Sequence, residues 1–313
     1  MTSAPPATTL RTLQVGTALA VDFVTAEVVG ALRAAGARSI LLRGPAIMRW
    51  LYGEGEPRPY RDIDLLVDPA ARADAEAVLG GLGFIHRQAG FAANESVQHA
   101  GEWFRDRPAV VVDLHRGLEG AAAEPSTLWS ALARRTEELE VGGTLVEAPD
   151  QPTLALVVTL HAAHHGVEGE KQLAELLRAM RTARLDTWAQ AARLAQEIGA
   201  VPAFAAGLRL LPEGADVAER LGLSHDATPE TVLRASSAHS TAIGFARLAA
   251  TPGLRARAVV VARKAVPTRA FMRYWSPLAR RGPAGMALAY LWRPLWLTWR
   301  LVPAARAWGR ARR

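Results

Sequence analysis

The first 150 residues alternate between helical and strand-like patterns of apolar positions. Apolar residues recur at helical spacing over residues 13–36, and the apolar run 39–44 that follows predicts a strand. Residues 44–52 predict a short helix that begins at a Gly-Pro pair, since proline is well suited to the first helical position. After a glycine-containing loop, the run DIDLLV at 62–67 predicts a second strand.

The same patterns predict how the sheet continues and where it stops. Asp68 and Pro69 are typical of a helix start and predict a helix over 69–83. Two hairpins follow, one formed by 96–104 and 109–116, the other by 137–149 with its turn at Gly142 and Gly143. Beyond Asp150, Ala and Leu recur at helical spacing to about residue 250, which predicts a helical bundle with breaks at Gly166, Pro202 and Pro212.

These elements predict an α/β (α+β) chain in which a mixed sheet flanked by helices precedes a helical bundle and a basic, Trp-rich helical tail. The predicted organisation is a disordered N-terminus over 1–12, a sheet domain over 13–150, a helical domain over 151–254 and a tail over 255–313. The absence of cysteine among 313 residues excludes disulfides, thiolate metal sites and a cysteine nucleophile. The N-terminal sequence lacks a basic region before its apolar stretch, so we expect neither a signal nor a transit peptide, and a cytoplasmic protein.

Charge is distributed unevenly between the tail and the remainder of the chain. Residues 255–313 hold 14 basic and no acidic residues, whereas the preceding residues hold 23 basic and 30 acidic ones. Within the tail, Trp292, Trp296 and Trp299 recur at helical spacing. The pattern favours packing against the acidic body or a partner, with peripheral membrane contact and, less readily, nucleic-acid binding as alternatives; Pro294 and Pro303 argue against a membrane span.

Two aspartates begin an otherwise apolar strand. Residues i and i+2 of a strand share a face, so Asp62 and Asp64 project together, and the same spacing puts Asp113 and His115 on one face of a later strand. Unpaired carboxylates side by side repel, and a divalent cation between them relieves that repulsion. If the two strands are neighbours, Asp113 supplies a third carboxylate. Relief of repulsion also predicts that replacing Asp62 and Asp64 with Asn preserves or raises stability.

The segment LLRGPAIMRWLYGEGEPRPYRDIDLLV at 41–67, followed by VVVDLHR at 110–116, resembles the uncharacterised nucleotidyltransferase family of the DNA polymerase beta-like nucleotidyltransferase superfamily. The resemblance covers residues 35–116 best and the helical half more loosely. It implies that Gly44 is the phosphate-loop glycine and that Asp62, Asp64 and Asp113 are catalytic metal ligands. Pro45 has no N–H to offer a phosphate, so the arginines nearby are expected to contribute.

The resemblance implies a Mg²⁺-dependent enzyme, with two ions or Mn²⁺ as a substitute, that moves a nucleoside monophosphate from a nucleoside triphosphate to an acceptor hydroxyl. Members are often associated with the biosynthesis of modified peptides, including lasso peptides, so a peptide or small molecule is the expected acceptor. The alternative is a catalytically silent adaptor of the same fold, bound at a membrane through its tail. The expected nucleotide-binding residues are Arg43, Gly44, Arg58, Arg61 and His115.

A second cluster of ligand-type side chains lies in the helical half. His161, His164 and His165 share a helical face, a spacing that zinc sites use. Without an evident fourth ligand, the sequence favours ordinary helix-surface or core histidines.

Overall fold

The computed structural model describes residues 7–53, 56, 58–92, 99–238 and 240–312, except for the side chains of 7–14 and Arg263. The chain separates into two compact units. The sheet unit comprises the described parts of Met1–His86, His99–Val158 and Arg178–Gly199, and the helical unit comprises those of Arg87–Gln98, Thr159–Leu177 and Ala200–Arg313. The units therefore interleave along the chain, whereas the sequence places one boundary near residue 150. The predicted domain limits stay a prediction.

One mixed sheet of seven strands organises the sheet unit, in the order β3-β4-β5-β2-β1-β7-β6. β2 pairs in parallel with β5 and β1 in parallel with β7, and the other pairs are antiparallel. This confirms the predicted mixed sheet and both predicted hairpins; residues 96–98 of the first hairpin lie outside the described residues. The strands are β1 (Ser39–Leu41), β2 (Asp62–Val67), β3 (Ile85–His86), β4 (Ala100–Asp106), β5 (Ala109–His115), β6 (Thr136–Val141) and β7 (Thr144–Pro149).

Helices cover the sheet and connect its strands. α1 begins at Ala7, so residues 7–12 of the predicted disordered N-terminus are helical, while residues 1–6 lie outside the description. Asp68 is the predicted cap, since its Oδ1 accepts the N–H of Ala70 at 2.9 Å ahead of a 3₁₀ turn that leads into α3. The helices of this part are α1 (Ala7–Ala34), α2 (Pro45–Leu51), α3 (Arg72–Gly81) and α4 (Pro125–Ala133).

α1 contains the one segment among the described residues, Val15–Ala34, that is long and apolar enough to cross a membrane by length and composition. Val21, Val24, Val28 and Leu32 of this segment are buried. Their spacing of three or four residues is that of a helix face packed on a core. One face of this segment therefore packs on the core of the sheet unit, while Leu19 and Phe23 are exposed.

The turn between β6 and β7 contains two glycines in the left-handed region, Gly142 (φ 57°) and Gly143 (φ 79°). A Cβ on Gly142 would lie 2.7 Å from the backbone oxygen of Asp22, whereas a Cβ on Gly143 would meet nothing within 4 Å. The close approach of α1 therefore restricts Gly142 beyond its backbone conformation.

We expect Gly142→Ala to lower the free energy of unfolding by about 2 kcal/mol or more, from the left-handed backbone and the forced shift of α1 together. Gly143→Ala is the matched control and should lower the free energy of unfolding by about 1 kcal/mol, because only its left-handed backbone conformation opposes the substitution. Urea unfolding of both variants measures the difference. Equal losses would show that the contact with Asp22 does not restrict the turn.

The remainder of the chain is helical, as predicted. Gly166 lies in the left-handed region (φ 67°) directly after α5, and Pro202 and Pro212 lie at helix starts. The helices are α5 (Gln151–His165), α6 (Glu170–Thr182), α7 (Leu185–Glu197), α8 (Val201–Leu208), α9 (Pro212–Arg220), α10 (Pro229–Ala235), α11 (Ser240–Ala250), α12 (Leu254–Ala265), α13 (Arg269–Trp275) and α14 (Pro283–Ala311).

Candidate active site

The sheet register brings the predicted carboxylates together. β2 and β5 are parallel neighbours with Asp64 opposite Asp113 and Asp62 opposite Val111. Alternation along β2 puts Asp62 on the same face as Asp64. Asp62 is exposed at the start of its strand, Asp64 is 3% exposed and Asp113 is half-buried. The predicted adjacency of the two strands is confirmed.

Asp64 is a buried carboxylate with two cationic partners. Its Oδ1 accepts a hydrogen bond and ion pair from the Arg43 guanidinium and lies 3.0 Å from Nε2 of His115. Burial alone would raise the pKa of Asp64, but Arg43 and His115 outweigh burial and hold that pKa well below its usual range. Asp64 is therefore ionised and already neutralised by protein side chains.

His115 is buried behind Asp64 rather than at the surface. Its Nδ1 lies 3.4 Å from the carbonyl oxygen of Gly117, and its Nε2 lies 3.0 Å from Oδ1 of Asp64 and 3.5 Å from the Arg43 guanidinium. Burial lowers the pKa of His115, yet the hydrogen bond and charge of Asp64 raise it above its ordinary value. A doubly protonated ring fits this position, and His115 supports Asp64 from within the sheet unit.

Asp113 carries the unbalanced negative charge of the site. Burial raises its pKa to about 6, and the nearby carboxylates of Asp64, Asp62 and Glu102 contribute in the same direction. Glu102 faces Asp113 directly across the β4–β5 ladder. A bound cation at this position would relieve both the burial and the repulsion.

Arg43 joins the carboxylates to a second acidic group that sequence reasoning missed. Its Nη1 lies 3.7 Å from Oε1 of Glu119, and the same oxygen lies 3.4 Å from Nε2 of His99. Burial alone would lower the pKa of Arg43, but the negative charges of Asp64 and Glu119 raise that pKa by more than burial lowers it. The guanidinium therefore stays charged. Glu119 and His99 belong to no motif in the sequence, and their place in the site follows from the fold alone.

Arg58, ahead of β2, contacts the backbone at Gly44. Gly44 has a left-handed backbone (φ 64°), and Nη1 of Arg58 donates to its carbonyl at 3.3 Å. Arg58 is 5% exposed and lies over the ring of Tyr60, whose hydroxyl donates to Oδ1 of Asp22 at 2.6 Å. Arg58 thus positions the Gly44 turn, whereas Arg61, directly before the carboxylates, is exposed.

The side chains at this site are of the chemical type that binds a divalent cation. Asp62 and Asp113 offer oxygen ligands at the exposed edge of the site, and burial together with neighbouring carboxylates raises the pKa of Asp113. Within the described part of the chain, no group of three or more His, Asp or Glu residues is arranged to hold a metal by itself. Asp64, predicted as one of the paired ligands with Asp62, contacts Arg43 and His115. Mg²⁺ commonly takes its remaining ligands from substrate phosphates and water.

The three histidines of α5, His161, His164 and His165, are engaged in packing. His161 and His165 contact each other with ring centroids 4.6 Å apart, and Nε2 of His161 lies 3.4 Å from the Gln172 amide. Nδ1 of His164 lies 3.1 Å from the Arg234 guanidinium. A neighbouring guanidinium disfavours a metal ion at His164. This arrangement agrees with the interpretation as ordinary side chains of a helix.

The comparisons with known proteins agree with the carboxylate pattern. Residues 9–214 match a family described as uncharacterised nucleotidyltransferase. The match covers well over half of the chain, which therefore belongs to this family, and its fold is nucleotidyltransferase-like. The resemblance seen in the motifs at 41–67 and 110–116 is confirmed.

Two solved structures are similar at low identity. One is the antibiotic-resistance factor ANT(2'')-Ia, with 14% identity over 60% of this chain and 95% of that one and a TM-score of 0.40. The other is an antigenic nucleotidyltransferase-like protein from Paracoccidioides brasiliensis, with 15% identity over 59% of this chain and 93% of that one and a TM-score of 0.36. The comparison with curated proteins found no match.

Proposed function

We propose that the protein is a Mg²⁺-dependent nucleotidyltransferase that moves a nucleoside monophosphate from a nucleoside triphosphate to a hydroxyl of a small-molecule or peptide acceptor. The observation that carries the proposal is the parallel register of β2 and β5, which puts Asp62, Asp64 and Asp113 on one sheet face. Family membership supports nucleotidyl transfer in general. The peptide acceptor and a role in peptide biosynthesis extend the proposal through the family resemblance.

Asp62 and Asp113, with Asp64 beside them, are the residues that would hold the cation. Bound there, Mg²⁺ neutralises phosphate charge and aligns the triphosphate with the acceptor. Asp64 is buried beside these two residues. Its pairing with Arg43 and His115 fixes the start of β2, and Asp62 and Asp113 remain at the exposed edge of the site. The chain thereby separates a structural carboxylate from two reactive ones.

In the transfer step the acceptor oxygen bonds to the α-phosphorus, and the bond from that phosphorus to the bridging oxygen breaks, so pyrophosphate leaves. The acceptor proton passes to the carboxylate of Asp113. Asp113 is half-buried on the same sheet face as Asp62 and Asp64, a position from which its carboxylate can accept that proton. The exposed Arg61 supplies positive charge for the triphosphate, while Arg43 pairs with Asp64 and Glu119.

The role of Arg61 gives a testable prediction. Arg61→Ala should weaken binding of the Mg²⁺–triphosphate complex about tenfold, the loss expected for one charge-assisted hydrogen bond. Its unfolding temperature should stay unchanged, because the side chain is exposed. Arg107→Ala, with a side chain 95% exposed in the same unit, is the matched control. Equal affinity in Arg61→Ala and the wild-type chain would remove Arg61 from the site.

Transfer itself is tested with triphosphates labelled at the α-phosphate and pooled hydroxyl-bearing peptides and small molecules. The proposal predicts pyrophosphate release and a mass increase of one nucleoside monophosphate on an acceptor, dependent on Mg²⁺ and lost in Asp62→Asn. Asp62 is the suitable residue to change because it is exposed, whereas Asp64 is buried in ion pairs. Label transfer of equal rate in Asp62→Asn would contradict the assigned site.

The pairing of Asp64 with Arg43 favours one alternative, a catalytically silent member of the fold that serves as a binding or adaptor module. In that case the guanidinium permanently replaces a cation, and triphosphates bind without Mg²⁺ or fail to bind. Mg²⁺ dependence of binding therefore separates the alternative from the enzyme.

A further inference from the structure

An exposed apolar stripe runs along α14, the last helix of the helical unit. Its six members are separated by three or four residues, apart from the adjacent pair Leu291 and Trp292, and at 100° per residue they all fall on one side of the helix. Trp299 is 91% exposed and Leu291 is 71% exposed, the largest fractions in the stripe. We call this set the α14 stripe, and it consists of Leu288, Leu291, Trp292, Leu295, Trp299 and Val302.

The opposite side of α14 is anchored in the helical unit. Ala289, Arg293 and Ala304 are buried. The Arg293 guanidinium lies 5.0 Å from the ring centroid of Phe271 and 4.8 Å from that of Trp275. Since these contacts fix the rotation of the helix, the outward orientation of the stripe is built into the fold.

The tryptophans of the tail divide between these two sides. Trp292 and Trp299 belong to the α14 stripe, while Trp296 packs against Trp275 with ring centroids 5.5 Å apart. The expectation that all three form one stripe is corrected, because Trp296 contributes to packing within the unit. Trp292 keeps 56% of its surface exposed against the described residues.

Basic residues continue the stripe toward the end of the helix. Arg306 and Arg310 follow Val302 at intervals of four residues and are exposed, so they extend the same side of α14. The entire stretch from residue 255 holds 14 basic and no acidic residues. An apolar stripe with Trp and a basic surround is typical of helices that lie in the interface of an anionic bilayer.

The stripe also borders an apolar groove of about 650 Å³ among α10, α11 and α14. Leu233 and Ala242 lie in its lining, and Trp299, Arg300 and Arg310 belong to it as well. Apolar walls beside two guanidinium groups are complementary to a phospholipid, because its acyl chain is apolar and its phosphate is anionic.

We propose that the α14 stripe and its flanking arginines dock the protein on an anionic phospholipid surface, with α14 lying in the membrane plane. Charge complementarity identifies the partner. Residues 255–313 contain no acidic residue, so this segment is complementary to a negatively charged membrane surface. Pro294 and Pro303 lie within α14, and Arg293 and Arg300 interrupt its apolar residues, so the helix suits the interface rather than a span. This inference is independent of the proposed catalytic activity.

The test is co-sedimentation of the full chain with vesicles of phosphatidylcholine alone and of phosphatidylcholine with 30% phosphatidylglycerol. We expect binding to the anionic vesicles that weakens with added salt, and at least about tenfold weaker binding to the neutral ones. Trp292→Ala with Trp299→Ala, and separately Arg306→Glu with Arg310→Glu, should each weaken binding at least about tenfold.

Matched controls come from the sheet unit, where Phe23 is 67% exposed and the Arg107 side chain 95% exposed. Phe23→Ala and Arg107→Glu should bind as the wild-type chain does, and unchanged unfolding curves show that all variants fold. Equal binding to neutral and anionic vesicles, or loss in the control variants, would overturn the proposal. The proposal would also be overturned if the chain failed to bind vesicles and instead self-associated or bound nucleic acid through the same residues.

Discussion

Asp64→Asn should lower the free energy of unfolding by about 3 to 5 kcal/mol, the range found when one member of a buried ion pair is removed. Asp64 is 3% exposed and pairs with Arg43 and His115, both largely buried. The substitution leaves their positive charge without its nearest compensating carboxylate. Chemical unfolding at neutral pH with a metal chelator present measures the loss.

Asp62→Asn is the matched control, since it makes the same chemical change two residues away on the same face. Asp62 is exposed, and its replacement should alter stability by no more than about 0.5 kcal/mol. The sequence argument that replacing Asp62 and Asp64 together preserves or raises stability assumes unpaired carboxylates, whereas Asp64 pairs with Arg43 and His115. An Asp64→Asn protein as stable as Asp62→Asn would contradict the ion-pair account.

Asp113→Asn should reduce nucleotidyl transfer at least about a hundredfold, the lower range for loss of a general base, while making the metal-free protein more stable. The native pKa of Asp113, about 6, lies above the ordinary value of 3.8, so the folded protein holds this proton more tightly than the unfolded chain does. Ionisation of Asp113 therefore works against folding. The gain on removing it is on the order of 2 to 3 kcal/mol at neutral pH.

The pH dependence follows from the same shift. In metal-free buffer the contribution of Asp113 is neutral below about pH 4 and becomes increasingly destabilising up to about pH 6, after which it stays constant. Unfolding curves at pH 4 and pH 8 should show that Asp113→Asn gains most over the wild-type chain at pH 8. An equal difference at both pH values would show that Asp113 is not held among other carboxylates.

The carboxylate pattern could be predicted from the sequence because a strand fixes its geometry locally. Alternation alone places Asp62 with Asp64, and the apolar run around Asp113 identifies a second strand. Their adjacency depends on pairing between distant segments, which the motif resemblance supplied and the sheet order confirms. The contacts of Arg43 could not be predicted, because Arg43 meets Asp64 and Glu119, and Glu119 meets His99, through tertiary packing that leaves no periodic signal.

The tail shows a similar limit. The spacing of its apolar residues predicts its helices, and its composition gives its charge. The sequence could not show which aromatic side chains pack into the helical unit. Arg293, which looks like a surface cation in the sequence, is 5% exposed and lies against Phe271 and Trp275. Aromatic faces attract a guanidinium strongly once water is excluded, so the charge can be buried there. Burial of Arg293 in turn orients the α14 stripe.

The central claim is that Asp62 and Asp113 bind a nucleoside triphosphate through Mg²⁺, and titration calorimetry tests it most directly. The chain would be titrated with ATP, GTP, CTP and UTP, each with Mg²⁺ and with chelator, and Asp62→Asn would be titrated in parallel. The account predicts that at least one triphosphate binds with Mg²⁺, that chelator abolishes this binding, and that Asp62→Asn weakens it at least about tenfold. Binding of the same strength with chelator, or in Asp62→Asn, would contradict it, as would no binding of any triphosphate.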